Sequence, residues 1–160
     1  MNRKLAVTLV AVALLLSLAG ISPAAAQSAL PSQVMNAVQA GILDEYNAYN
    51  LYQAVLDQFG PVRPFTNIQA AEAQHIAAWQ RIFSQYAIPL PQAPVLEQKP
   101  QFATRSAACK AAANAEIANV ELYDNMLKTV SAYPDIVRVV TTLRSASQTR
   151  HLPAFQRCVG

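Results

Sequence analysis

Apolar side chains recur at three- and four-residue intervals along four stretches of the chain, which predicts four amphipathic helices. The first stripe is Val34, Val38, Ile42, Glu45, Tyr49, Tyr52 and Leu56. The second is Phe65, Ile68, Glu72, His75, Trp79, Ile82 and Tyr86. The third is Cys109, Ala112, Glu116, Val120, Tyr123, Leu127 and Val130, and the fourth passes through Val140, Leu143, Ser147, His151, Ala154 and Phe155. Ser32 is the expected N-cap of the first helix, and Gly60-Pro61 stops it. The turn to the second helix is short, so these two helices should be antiparallel neighbours. Pro134 suits the first turn of the fourth helix, while Pro153 should bend that helix or loosen its end.

Between the second and third helices, residues 87–101 carry Pro89, Pro91, Pro94 and Pro100 and cannot be helical. Some fifteen extended residues reach roughly 50 Å, against roughly 38 Å for a helix of about 25 residues. The segment is therefore long enough to cross the length of a bundle. A loose linker between independent hairpins is the alternative, but a lone helical hairpin leaves its apolar stripe uncovered. No alternating apolar run suggests a strand, and the pattern predicts an all-α, antiparallel four-helix bundle of two hairpins joined by a Pro-rich crossover.

Every stripe is interrupted by ionisable groups where core residues belong. A buried carboxylate without a partner is costly, so Glu45, Glu72 and Glu116 each need a cation, a proton or several donors. Glu72-Ala-Gln-His75 puts an acid and an imidazole one turn apart, the way dimetal carboxylate bundles present ligands from one helix. The two halves of the chain also repeat. Glu45, Leu51-Tyr52 and Leu56 align with Glu116, Leu122-Tyr123 and Leu127 at an offset of 71, and Glu72-x-x-His75 aligns with Gln148-x-x-His151 at an offset of 76. Each hairpin thus offers one acid from its first helix and an x-x-His unit from its second. The chain has two histidines, and both fall on the repeat.

Cys109 lies seven residues before Glu116, and Cys158 seven after His151. If the last two helices are antiparallel with Glu116 and His151 level, the cysteines are level too, about two turns away. In an exported chain this predicts a Cys109–Cys158 disulfide rather than two free thiols, and it places both sulfurs too far from the acid–histidine layer to ligate there.

Export itself is expected from residues 1–26: a basic start at Arg3 and Lys4, an apolar run from Leu5 to Leu18, and a small-residue exit at Pro23–Ala26. The run is short for a membrane span, so a cleaved signal peptide is favoured over an anchor, leaving residues 27–160 as one periplasmic or secreted domain. Without Arg3 and Lys4 the twelve Lys and Arg become ten against nine Asp and Glu, a net charge of +1. The remaining basic residues are scattered, which argues against nucleic acid as a partner.

The residues Glu45-Tyr46, Asn67-Ile-Gln-Ala-Ala-Glu-Ala-Gln-His75, Glu116-Ile117, Pro134-Asp-Ile136 and His151-Leu-Pro-Ala-Phe155 resemble the ferritin-like superfamily. More narrowly, they are similar to a prokaryotic ferritin-like family known as a domain of unknown function. The likeness spans residues 33–158. It implies a bundle that holds two iron or manganese ions between four Glu and two His. Carried onto this chain, the ligand set is Glu45, Glu72, His75, Glu116 and His151. The sixth position is Gln148, where the pattern expects Glu, so two divalent ions would be short of one negative charge. Glu121 is a substitute source of that charge, although it lies well round the helix from Glu116. Arg144, one turn before Gln148, offers another way to neutralise Glu72 or Glu45 if it turns inward. Two readings follow: an exported iron-binding bundle with an oxygen- or peroxide-linked redox role, in which Tyr49, Tyr52 and Tyr123 are hydrogen-bond partners or radical traps, and a non-enzymatic exported bundle with a degenerate metal site, acting in binding or structure, whose tyrosines simply pack. Nothing beyond the bundle suggests a storage shell.

Overall fold

A computed structural model describes residues 29–159; the expected leader, residues 1–26, lies outside them. The helices are α1 (Ser32–Phe59), α2 (Phe65–Gln85), α3 (Arg105–Thr129), α4 (Pro134–Ala146) and α5 (Leu152–Val159). A π-helical turn, Ser147–His151, joins α4 to α5, so these three segments form one rod, the fourth of the bundle. There is no strand among the described residues, and no described helix is long and apolar enough to cross a membrane.

Adjacent rods run antiparallel. Tyr52 of α1 meets Glu116 of α3 while Glu45 meets Tyr123. Gln85 of α2 meets Asp135 of α4, while Glu72 meets His151. The crossover is strapped along α1: Asn50 Nδ2 donates to the Pro94 carbonyl and Gln58 Nε2 to that of Phe102, with Lys99 paired to Asp57 between them. It therefore returns the chain to the end where α2 began, as the proline-rich stretch predicts. α2 and α3 run parallel on one diagonal.

The ends follow local chemistry. Pro31, not Ser32, occupies the N-cap of α1, and Ser32 is already helical; the fixed backbone of Pro31 suits the extended cap conformation, and its carbonyl accepts from Met35 N–H at 2.9 Å. Gly60 closes α1 at φ 77°, a left-handed value that favours glycine. Pro153 has no N–H to give the carbonyl of Thr149, four residues back, and the chain meets this with the wide turn: Leu152 N–H reaches the Ser147 carbonyl, five residues back.

Two apolar clusters fill the interior. One includes Val38, Ile42, Trp79, Phe83, Met126, Ile136, Val140 and Leu143. The other includes Tyr52, Val55, Phe65, Ile68, Ala112 and Phe155. Gly41 is required for the first: a Cβ there would lie 2.5 Å from Trp79 Cζ2. The second is bounded by the Cys109–Cys158 disulfide. The buried ionisable residues lie between the two.

Candidate metal centre

Glu45, Glu72, His75, Glu116 and His151 converge from all four rods, and each is at least nine-tenths buried. Helical spacing explains this: each occupies a core position of its own stripe, and the antiparallel packing brings the four positions level. They form two triads, each with its ligating atoms within 4.8 Å of one another, and Glu72 belongs to both. The first half-site is Glu45 and His75 with Glu72; the second is Glu116 and His151 with Glu72. Glu72 gives one oxygen to each imidazole: Oε2 is 2.7 Å from His75 Nδ1, and Oε1 is 3.1 Å from His151 Nδ1. Glu45 Oε2 stands 3.2 Å from His75 Nδ1, and Glu116 Oε1 stands 3.5 Å from His151 Nδ1. The imidazoles stack with centroids 5.4 Å apart.

Two tyrosines cross-link the half-sites. Tyr52 on α1 donates to Glu116 Oε1 at 2.6 Å, and Tyr123 on α3 makes a very short hydrogen bond to Glu45. Each phenol follows its own helix's acid by seven residues but bonds the acid of the opposite repeat. Their pairing was not read from the sequence, although the repeat already placed a Leu-Tyr pair after each Glu. Trp79 Nε1 donates to the Tyr123 hydroxyl at 3.1 Å, whereas Tyr52 packs on Phe155 with centroids 5.1 Å apart. Tyr49 is half-buried.

The other expected contributors point elsewhere. Gln148 is exposed, and its Oε1 accepts from Arg144 Nη1 at 2.6 Å. Arg144 is turned outward to Asp124, so it does not neutralise Glu72 or Glu45. Glu121 is exposed. The π turn is the physical reason for Gln148: with one extra residue in the turn, Ser147 and His151 face the core and the residues between them face solvent. Cys109 and Cys158 are disulfide-bonded, with Cα atoms 5.7 Å apart.

Electrostatics reflect five ionisable groups in a small buried volume. Burial pushes Glu45 up to about 8 despite the opposing bond from His75. Burial also works against Glu72, but the imidazoles of His151 and His75 beside it outweigh it and hold that carboxyl down at about 2. Burial pulls both imidazoles down, yet the carboxylates beside them raise His75 to about 10 and His151 to about 9. Free of metal, the layer is thus loaded with protons. Burial, then the nearby carboxylates, hold the Tyr52 and Tyr123 phenols well above their usual range.

Two openings reach the layer. One, about 210 Å³, lies between α1 and α3 and ends on Glu72 and Glu116. Asp44 and Asn119 line it, and Asn119 Nδ2 donates to Asp44 at 2.5 Å. Burial raises the Asp44 carboxyl against the pull of Asn119, and Glu116 and Glu72 push it further. The other opening, about 520 Å³, lies between α2 and the fourth rod and ends on His75 and His151, with Arg81 and Arg150 at its rim.

The donor set tests well against a divalent ion. Three carboxylates and two imidazoles suit iron, manganese or zinc, and His151 Nδ1 is buried without an aligned hydrogen bond. Fold and site together define a four-helix bundle with a buried carboxylate–histidine layer. No protein-family model matches the chain, and no curated protein matches it. Among solved structures it is similar to a hypothetical protein, MJ0754, from Methanococcus jannaschii DSM 2661, with a TM-score of 0.73, 19% identity and 83% of each chain covered. At that identity the likeness establishes the shared fold.

Proposed function

We propose that this chain is an exported ferritin-like protein that binds one or two iron or manganese ions in the layer between its two half-sites. The observation that carries the reading is Glu72, one carboxylate shared by two buried triads with one oxygen turned to each histidine. Glu45, His75 and Glu72 would hold one ion and Glu116, His151 and Glu72 a second, with Glu72 common to both sets. Iron bound there supplies one-electron chemistry toward oxygen or peroxide. The chain's own part is to orient and to exclude: Tyr52 and Tyr123 fix the rotamers of Glu116 and Glu45, as outer partners of metal ligands do, and the apolar clusters keep bulk water from above and below.

The second reading, a bundle without a metal, is favoured by one observation. Each carboxylate of the layer already has a histidine near it, and two have a tyrosine hydroxyl as well. Metal content separates the two. Mature protein purified without a His-tag is offered Fe(II), Mn(II) or Zn(II) anaerobically, beside Glu72→Ala. One or two equivalents in the wild type, lost in the variant, is the expected result. A folded wild type that takes no metal overturns the metal reading and leaves the paired-acid bundle.

A further inference from the structure

The two openings onto the layer differ in charge. At the larger, Arg81 and Arg150 stand at the rim, and the imidazoles form the floor. A divalent cation approaching there meets positive charge. The smaller opening presents oxygen: the carboxylates of Asp44, Glu72 and Glu116 and the amide of Asn119. Asn119 is 6% exposed, and its Oδ1 has no hydrogen-bond partner. An orphaned buried acceptor is costly to keep. Its Nδ2 is engaged by Asp44, so Oδ1 is the polar atom left unpartnered on this cavity-lining residue. Space for the cavity comes from Ala48, Ala115 and Ala118, whose small side chains separate α1 from α3.

Neither polar residue belongs to the internal repeat. Asp44 has Ala115 as its counterpart 71 residues on, and Asn119 corresponds to Ala48, 71 residues back. The pair therefore stands outside the repeated pattern. Asp44 and Asn119 are also absent from both triads, so they stand outside the ligand layer while sharing a cavity with two of its carboxylates.

We propose that divalent cations reach the layer through the α1–α3 opening, with the Asp44 carboxylate and Asn119 Oδ1 as the first oxygens to replace water on the ion, and that the larger, arginine-rimmed opening is not the cation route. The inference rests on the metal reading above. Oxygens that strip a hydrated ion in two stages lower the barrier to uptake without adding to the final binding free energy. Asp44 and Asn119 are thus positioning residues for uptake, and their effect belongs in the rate.

The test is the rate of Co(II) uptake by metal-free protein, followed by rapid-mixing absorbance at low ionic strength, with equivalents bound measured separately by equilibrium dialysis. Asp44→Asn removes the charge at nearly constant shape, and Ala115→Leu plugs the cavity from α3. The expected result is uptake slowed roughly fivefold or more in both variants, from lost electrostatic steering in the first and lost access in the second, with equivalents unchanged. Arg81→Gln and Arg150→Gln should stay within about twofold of wild type or load faster, as steering predicts. Raised salt should narrow the gap between wild type and Asp44→Asn. Wild-type uptake rates in both cavity variants, with the same equivalents bound, would overturn the proposal and leave the metal reading intact. An equivalent lost in Asp44→Asn would overturn it differently, by making Asp44 a ligand. A folded wild type that takes no Co(II) would overturn both readings.

Discussion

The two half-sites are built from the same parts, yet they are not equivalent. In the first, Glu72 and His75 come from one helix, one turn apart, and their 2.7 Å contact needs no tertiary adjustment. In the second, the corresponding pair would be Gln148 and His151, but Gln148 faces solvent, so His151 must share Glu72 from across the bundle at 3.1 Å. The outer partners diverge in the same direction. Trp79 holds Tyr123 with a hydrogen bond, while Phe155, its repeat counterpart, offers Tyr52 only ring packing. The first half-site has the more complete polar shell. The second has the disulfide two turns away and the oxygen-lined opening beside it. The repeat thus places matched acid and histidine positions in the two halves, and single differences between the halves give those positions unlike surroundings.

The sharpest way to break the comparison is to remove one imidazole at a time. Under the metal reading, His75→Ala should abolish the tighter binding event and His151→Ala the weaker. Each loss should exceed the roughly 10–100-fold expected for an outer partner. Calorimetric titration with Mn(II) reads both. Identical curves for the two variants would show that the half-sites act as one.

The disulfide comes next. It closes a separation of 49 residues, for which chain entropy predicts about 4 kcal/mol of stabilisation. Reduction, or Cys109→Ser with Cys158→Ser, should lower the melting temperature by an amount set by that figure. It should also weaken the second half-site more than the first, because α5 is the segment it ties down. If both half-sites weaken equally under reduction, the disulfide acts on the bundle as a whole.

Protons offer a gentler probe. The folded pKa values of Glu45, His75 and His151 lie above the ordinary 4.5 and 6.5, at about 8, 10 and 9. Such groups contribute stability that is fully present below the unfolded pKa and is lost as pH rises through the folded one. Glu72, held at about 2, contributes above 4.5 and loses its contribution as pH falls toward 2. Metal-free protein should therefore be most stable near about pH 4.5 and decline steadily toward pH 10. Saturating Mn(II) should flatten that decline by taking the place of the protons. Denaturant melts across pH, with and without the ion, check the sign; stability that rises toward pH 9 in the metal-free protein would contradict the paired layer.

A smaller change makes the two outer shells alike. Trp79→Phe removes the indole donor from Tyr123 and should cost about 1 kcal/mol for the hydrogen bond, in addition to any packing loss beside Gly41. It should also bring Mn(II) binding at the first half-site closer to that at the second. A variant that unfolds more easily but binds as before would assign Trp79 to packing alone.

Much of this arrangement could be read from periodicity, because the ligands sit on the same stripes as the core. A helix that must bury one face reveals which carboxylates it buries, and so Glu45, Glu72 and Glu116 stood out against Val, Ile and aromatic neighbours. The crossover was legible from its prolines, and the level of the cysteines from equal spacing to Glu116 and His151. What escaped the pattern lies off it. Asn119 and Met126 are buried where Val120 and Leu127 were expected; with Glu116 and Tyr123 facing inward, a period of 3.6 admits either neighbour, and only packing against α1 decides. Asp44 is half-buried beside a stripe residue and has no repeat partner to advertise it. Pro153 announced a break in the fourth rod, but not that the break would widen one turn and so rotate Gln148 outward.

The outward turn of Gln148 sets the smallest expected effect. Read from the repeat alone, Gln148→Glu restores the missing sixth ligand and should add an ion or tighten the second half-site. The π turn argues otherwise. Residue 148 lies on the solvent side of the rod, bonded to Arg144, which is itself committed to Asp124. A carboxylate there gains a surface ion pair, worth about 0–1 kcal/mol, and does not reach Glu116. Mn(II) stoichiometry and affinity should therefore match wild type, with the melting temperature unchanged or slightly raised. Tighter binding at the second half-site in Gln148→Glu would mean that the wide turn relaxes when a ligand is offered, and the inequality between the half-sites would then lie in one side chain and not in the path of the helix.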